Sequence, residues 1–431
     1  MTMPHGLRAG LAGLGLLACT LAANAGEIQL VGKGAVPGSA SDLSGLTGEI
    51  YDAADSSAHV PQNILGGFGS GVAYTGIGDY FVAVSDRGPF DGVTDPAYAD
   101  RFHIFRFALN IATKTVTPTL TDTRLLRNKV GESFVGLASA FDTAQPWKTM
   151  RFDPEGVRVS RDGSLFISDE YGPYIYEFTR RGRLLRKLPL PNRYLIDSPS
   201  ADANLELSLN TKGRQANRGM EGLAIAPDGR ALFGLMQNPL IQDGGLDSNL
   251  KRAGVNSRLI KISLVTGKVE EFVYQIEAGN GSKHGMNEIT AVNDHQFLVV
   301  ERDGKAGEEA ATKKIYLIDI SGATDVSKMA TLPSTCTTGV DCPFTPVSKT
   351  LLVDMLAAEY GLQGPDFPEK IEALAFGPDL ADGRHVLYVF SDNDLNPDRP
   401  SMVFAFAIPA AVLPGYEPQK FGLSFFSDDA N

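Results

Sequence analysis

Carboxylates recur in this chain at one register of a repeated hairpin. The clearest copy runs from Arg151 to Gly172: Glu155-Gly156 opens it, Val157 and Val159 alternate, Asp162-Gly163 turns it, and Leu165-Phe166-Ile167 leads to Ser168-Asp169-Glu170. Further copies start at Glu221, before Leu223-Ala224-Ile225, at Glu288, before Ile289-Thr290-Ala291-Val292, and at Glu372, before Ala373-Leu374-Ala375-Phe376. Their return segments carry Glu301 and Asp303 in one case, Asp392 and Asp394 in another. An earlier copy begins at Ser70 instead and returns to Ser85-Asp86-Arg87. Carboxylates brought together repel, and a hard divalent cation resolves the repulsion; an oxygen-only donor set without His or Cys clusters points to Ca²⁺ ahead of zinc. The ligands read from this spacing are Glu155, Glu221, Glu288, Glu372, Asp169 and Asp392, with Glu155, Glu221 and Asp86 as candidates for activating water. The plain alternative is that each Glu caps backbone N–H groups of its own repeat or pairs with a nearby Arg.

Basic residues accompany the acids. Arg87 follows Asp86, Arg151 precedes Glu155, Arg218 precedes Glu221, Arg302 follows Glu301, and Lys370 precedes Glu372. Guanidinium forks grip phosphate or carboxylate oxygens, so these are candidate contacts to a small anionic substrate; a ring of salt bridges between repeats is the alternative. His284, ahead of Glu288, suits acid/base work or an ordinary hydrogen bond.

These side chains need elements that aim them at one place. Asp-Gly between alternating apolar runs is a strong hairpin signal. Aligned on the marked position, the copies fall 85, 66, 67 and 84 residues apart. A strand-built repeat of that length predicts an all-β fold, a β-propeller of five or six four-stranded blades, with any sixth in 42–66 or 130–147. Strand Ile28 to Val31, or Gly422 to Phe426, completes the last blade, and Ser348 to Gly361 reads as a short helix inserted before it. Tight turns join the first and second strands, while the connections 87–100, 192–218, 238–256, 302–313 and 321–369 are long. One rim is therefore plain and the other elaborated, and the repeated carboxylates start on the elaborated one.

Composition narrows the partners. A net charge of −12 over 431 residues argues against nucleic acid or an anionic membrane surface. Arg8, the apolar stretch Leu11 to Leu21 and Ala23-Asn24-Ala25 predict a cleaved leader over 1–25 and one exported domain over 26–431, periplasmic or secreted. A lipoprotein box at Leu16-Leu17-Ala18-Cys19 is the rival reading. No later run resembles a membrane span, and a monomer is expected. Cys336 and Cys342 are expected to close a small disulfide loop in an oxidising compartment. There is no Gly-x-Ser-x-Gly elbow, Walker loop, zinc-type His spacing or Cys/His nucleophile pair.

The ordered motifs SGVAY…SDRGP, DPEGVRVSRDGSLFISDEYGP, RGMEGLAIAPDGRALFGLMQNP, GMNEITAV…VVERDG and EKIEALAF…SDND resemble the exported bacterial family called "esterase-like activity of phytase", over about Gly66 to Ile408. The resemblance implies a β-propeller hydrolase of phytate or similar phosphomonoesters. The hairpin at Glu155 also looks like those of Ca²⁺-dependent lactonase propellers, whose Glu, Asn and Asp ligands Glu155, Asn287 and Asp392 would imitate. A lactonase or carboxylesterase, or a non-catalytic periplasmic binding propeller, are the alternatives.

Overall fold

The computed structural model describes residues 26–172, 174–277, 283–336, 340–422 and 425–426; the expected leader lies outside them. Each hairpin grows into a four-stranded antiparallel unit. Unit I comprises Gly71–Tyr74, Tyr80–Val84, Arg101–Asn110 and Thr115–Leu125. Unit II comprises Pro154–Val159, Leu165–Asp169, Tyr174–Phe178 and Leu184–Pro189. Unit III comprises Met220–Ile225, Ala231–Met236, Asn256–Ser263 and Val269–Gln275. Unit IV comprises His284–Ala291, Gln296–Asp303, Lys313–Asp319 and Ser348–Asp354. Unit V takes Lys370–Phe376, His385–Asp392 and Ser401–Ile408 from late in the chain, and Gln29–Val36 from its beginning. Gly163 and Gly229 hold their hairpin turns at φ of 86° and 74°, which costs glycine nothing.

First strands of successive units adjoin in the order I, II, III, IV, V and back to I, giving an all-β, propeller-like arrangement. The N-terminal strand pairs antiparallel with Ser401–Ile408 from Gln29 opposite Ala407 to Val36 opposite Ser401, so the two ends of the chain close the ring. The core is divided rather than central. Val82, Ile104, Ile167 and Phe178 pack between units I and II, Phe233 and Phe297 meet between III and IV, and Leu298 and Phe404 lie in the layer between IV and V. Each unit buries both faces, so its strands carry apolar residues on both sides.

Two expectations change. The predicted helix over Ser348 to Gly361 is instead the outer strand of unit IV, paired with the third strand from Lys314 opposite Asp354 to Asp319 opposite Ser348, and followed by the 3₁₀ turn Ala358–Tyr360. Leu351 and Leu352 satisfy either periodicity, and the open edge of unit IV decides between them. The long excursion is thus 321–347, between third and fourth strands. It climbs the outer edge of unit III, where Val326 N and Val347 N donate to Glu271 O and Val273 O at 2.8 and 2.9 Å. Segment 42–66 forms no further unit: Glu49–Asp52 and His59–Pro61 join Thr94–Asp95 in a small separate sheet. Segment 130–147 holds isolated bridges and part of the 3₁₀ turn Pro146–Lys148. An α-helix occurs at Ala203–Leu209, where Asp202 caps the N–H groups of Asn204 and Leu205.

One ion pair crosses the middle of the ring. Arg158 of unit II reaches Glu288 of unit IV, Nη2 to Oε2 at 2.9 Å, and its guanidinium also donates to Val72 O of unit I at 3.1 Å and Ile289 O at 2.7 Å. Glu288 Oε1 accepts from Leu223 N of unit III at 3.2 Å. Removing one partner strands a buried charge, so Arg158→Met is expected to lower stability by about 3–5 kcal/mol, and Arg158→Met with Glu288→Leu to recover most of it. Urea unfolding of the three chains checks this; a single variant within about 1 kcal/mol of the parent would show that the pair does not hold the ring.

Candidate functional site

The first strands of units II to V carry an extra residue near the mouth. The register shifts between Met220 and Gly222, between Met286 and Glu288, and between Ile371 and Ala373. In unit II, Pro154 faces Asp169 while Val157 faces Ile167, which puts the irregularity at Glu155-Gly156. Such a bulge re-aims the inserted side chain. The equivalent residues are therefore Glu155, Glu221, Asn287 and Glu372, the first three spaced evenly by 66 residues. Glu288 stands one position further on, where units II and III have Gly156 and Gly222, and it faces the tunnel with Arg158. A slip of one residue exchanges the two faces of a strand, so the structure removes Glu288 from the mouth and supplies Asn287.

Two groups of acids line this floor. Asp153, Glu155 and Glu170 each offer an oxygen within 4.8 Å of the others, and so do Asp86, Asp392 and Asp394. Glu221 accepts from Gln237 Nε2, and Glu372 from Arg302 Nη2 and from Asn287 Nδ2 at 3.4 Å. Glu155 is only 5% exposed, yet among the described residues no donor or cation pairs with its carboxylate. Burial, then Glu221, Asp153, Glu170 and Glu372, push the Glu155 carboxyl well above the usual range. Burial, then Glu170 and Glu372, do the same for Glu221. Asp86 is raised by burial and then Asp392, and Asp392 is pushed up to about 7 by burial and then Glu372. Burial works against Glu372 too, but Lys370 and Arg302 hold its carboxyl below the ordinary value.

The cations divide into committed and free. Arg87 donates from Nη1 to Asp153 Oδ2 at 2.6 Å and Glu170 Oε2 at 3.3 Å, and from Nη2 to Asp91 at 2.9 Å. Lys370 is bound to Asp394, and Arg302 to Glu372. Arg218 donates to Asn217 O at 2.7 Å, and among the described residues no carboxylate lies within ion-pair distance of Arg218 or Arg252. The eight carboxylates Asp86, Asp153, Glu155, Glu170, Glu221, Glu372, Asp392 and Asp394 outnumber the five cations Arg87, Arg218, Arg252, Arg302 and Lys370. With Glu155 unpaired and the buried Asn287 Oδ1 also without a partner, this donor set fits a hard divalent cation. Strain gathers on the same rim: Phe90, Asp91, Asn217, Leu250, Asp394 and Leu395 all have φ between 50° and 58° on mouth loops.

Three expected site residues are engaged elsewhere. Arg151 donates to Ala138 O at 3.0 Å and stacks on Tyr171 at 4.1 Å, which fixes the surrounding connections. Asp169 accepts from the backbone N–H groups of Asp153 and Tyr171, both at 3.1 Å, and so braces the turn that presents Glu170. His284 lies 3.2 Å from Glu301, in a buried network with Tyr274 and Lys349 behind unit IV. Sequence reasoning missed Asp153, which sits two residues before Glu155 and carries a usable signal, and Arg252, which has no repeat position to mark it. The expected disulfide between Cys336 and Cys342 is formed.

A family model described as "Phytase-like: Esterase-like activity of phytase" matches residues 63–395. An "uncharacterized secreted protein" of Arthroderma benhamiae is 32% identical over 196 residues, covering 39% of this chain and 38% of that protein, so the chain spans well under half its length. Among solved structures, a luciferin-regenerating enzyme is 12% identical with a TM-score of 0.34, covering 87% of this chain and 100% of its own. Regucalcin of Agrobacterium tumefaciens, described as a calcium-binding protein, is also 12% identical with a TM-score of 0.34, covering 92% and 98%. Likenesses of this size assign no residue here.

The raised carboxyls set a pH dependence. Asp153 is pushed up to about 6 and Asp392 to about 7, both by burial first, so between about pH 4 and 7 these two groups bind more protons in the folded chain than in the unfolded one. Their contribution to stability is expected to fall as pH rises across that window, and the raised Glu155 and Glu221 act in the same direction. A cation held by ionised carboxylates offsets the loss, so added Ca²⁺ raises Tm more at pH 7.5 than at pH 5. Thermal unfolding with and without Ca²⁺ checks this; a Tm indifferent to Ca²⁺ at pH 7.5 counts against the fit.

Proposed function

This chain belongs to the phytase-like family described as esterase-like activity of phytase, and from that premise we propose that it is an exported hydrolase of phosphate monoesters working at the mouth of a five-bladed propeller. The observation that carries the reading is Glu155: a buried carboxylate in an acid-rich floor, without a hydrogen-bond or ion-pair partner among the described residues, whose neighbour Glu221 feels the charge of Arg218. Export rests on the leader pattern before Gly26, on the Cys336–Cys342 disulfide and on the secreted description of the Arthroderma benhamiae relative. Among the described residues no helix is long and apolar enough to cross a membrane.

Asp153, Glu155 and Glu170 on one side and Asp86, Asp392 and Asp394 on the other are the groups that would hold Ca²⁺. When bound, the ion supplies positive charge that offsets the phosphoryl oxygens. Glu155 takes a proton from the attacking water. Water oxygen then bonds to phosphorus as the ester P–O bond breaks, and the alcohol leaves with a proton given by Glu221, whose carboxyl burial and its acidic neighbours raise well above the ordinary value. Arg218 donates to the phosphoryl oxygens, while Arg87 and Arg302 hold Asp153, Glu170 and Glu372 in position. A second reading, hydrolysis of a lactone or carboxylic ester, is favoured by Asn287 at the bulge of unit IV: it donates to Glu372, the same carboxylate whose charge acts on Glu155 and Asp392, so three units contribute around that group.

Phytate, an aryl phosphate, an aryl acetate and a small lactone offered with Ca²⁺ and with chelator separate these readings. Phosphate release that chelation stops is expected, with Glu155→Gln and Glu221→Gln each slower by about 100-fold or more at unchanged Tm. Full turnover by both variants would remove them from the mechanism, and turnover of acetate or lactone alone would favour the second reading.

A further inference from the structure

The mouth-side loop of unit III, 237–255, is held from three directions. Within it, Asp247 Oδ1 accepts from Asn249 N and Lys251 N at 2.8 and 2.9 Å, and Ala253 N donates to Gly245 O at 2.8 Å. Against the connection that carries Arg218, Gln215 Nε2 donates to Pro239 O and Ile241 N to Gly213 O, at 2.8 and 2.9 Å. Against the disulfide-closed excursion of unit IV, Val255 N donates to Ser334 O and Leu332 N to Asp243 Oδ1, both at 2.8 Å. Arg252 therefore projects from a braced loop, and Leu250 beside it is kept at a φ of 58°.

What that loop presents is a charge that feels Glu170 but, among the described residues, has no carboxylate within ion-pair distance. Among the described residues Arg218 and Arg252 lack the ion-paired carboxylates that Arg87, Arg302 and Lys370 have. Their loops meet at Gln215, which bridges Arg218 and whose Nε2 donates to Pro239 O and lies against Gly245, next to the Leu246 that bridges Arg252; with burial, the charge of Arg252 holds Arg218 down to about 10. Arg218 is half-buried toward the floor and Arg252 is exposed at its outer edge. Two guanidiniums fixed side by side by separate loops cost free energy until an oxyanion lies between them.

We propose that Arg218 and Arg252 form a guanidinium clamp that receives an anionic group of the substrate just outside the carboxylate floor, with Arg252 as a specificity-determining residue. The inference rests on the mouth being the substrate site, and not on which bond is cut there. Phosphate and carboxylate share the chemistry the clamp recognises, and separate titrations tell them apart.

Calorimetric titration of the purified chain with inorganic phosphate, and separately with malonate, in metal-free buffer at two salt concentrations is the test. The parent is expected to bind at least one of them, more weakly at higher salt, with Arg252→Gln and Arg218→Gln each weakening Kd by about tenfold. Arg252 is exposed, so its variant is expected to keep the parent Tm. Tighter phosphate than malonate places a phosphoryl group in the clamp, and the reverse places a carboxylate there. Absence of binding by the parent, or affinities within twofold of it in both variants, overturns the clamp. A chain that cleaves no phosphate ester yet loses anion affinity on Arg252→Gln keeps the clamp and loses the phosphoesterase reading; one that cleaves phosphate esters without that loss does the reverse.

Discussion

The contact between Arg158 and Glu288 is the constraint around which the ring is built. It spans the tunnel from unit II to unit IV and collects backbone groups of units I and III on the way. The first strands can approach this closely because Gly71, Gly156 and Gly222 carry no side chain: a Cβ there would lie 2.1, 2.5 and 2.9 Å from backbone atoms of the next unit. Unit IV alone among these positions places a long acidic side chain, and the tunnel has room for it because Arg158 meets it. Burial pushes the Glu288 carboxyl up to about 7 against the pull of Arg158.

That plug gives the mouth its floor. Above it, the bulge in the first strands of units II to V turns an acid or amide upward into a buried setting. Burial and mutual repulsion raise Glu155 and Glu221, while Lys370 and Arg302 keep Glu372 ionised. The same neighbourhood therefore holds carboxyls shifted in opposite directions, the pattern that general acid and base work uses and on which the proposed hydrolase reading draws.

Stability and function occupy different parts of the units. Between units the apolar layers do the holding, and strand pairing between the chain's two ends completes the circle. The proposed site draws on the bulged strand ends and on the connections around them, where strained residues and long loops collect. The excursion closed by Cys336–Cys342 links the two: it covers the open edge of unit III, as an exposed edge strand requires, and braces the loop that bears Arg252.

Much of this was legible in the chain itself. Alternating apolar residues around Asp162-Gly163 and Asp228-Gly229 dictate hairpins through local backbone preference, and their recurrence dictates repeated strands with Glu155, Glu221 and Glu372 at one register. What depends on neighbours distant in sequence was not legible. Ser348–Asp354 is a strand because unit IV has an edge to fill, although its leucines suit a helix equally well. Asn287 rather than Glu288 reaches the mouth because close packing at the tunnel fixes where the bulge falls, and one residue of slip reverses a strand's faces. Whether an arginine is spent on a carboxylate, as Arg87 is, or left open, as Arg218 and Arg252 are, is decided by which loops the fold brings within a few ångströms. Periodicity along a chain records local geometry, and it cannot record a contact between residues that only the closed ring makes neighbours.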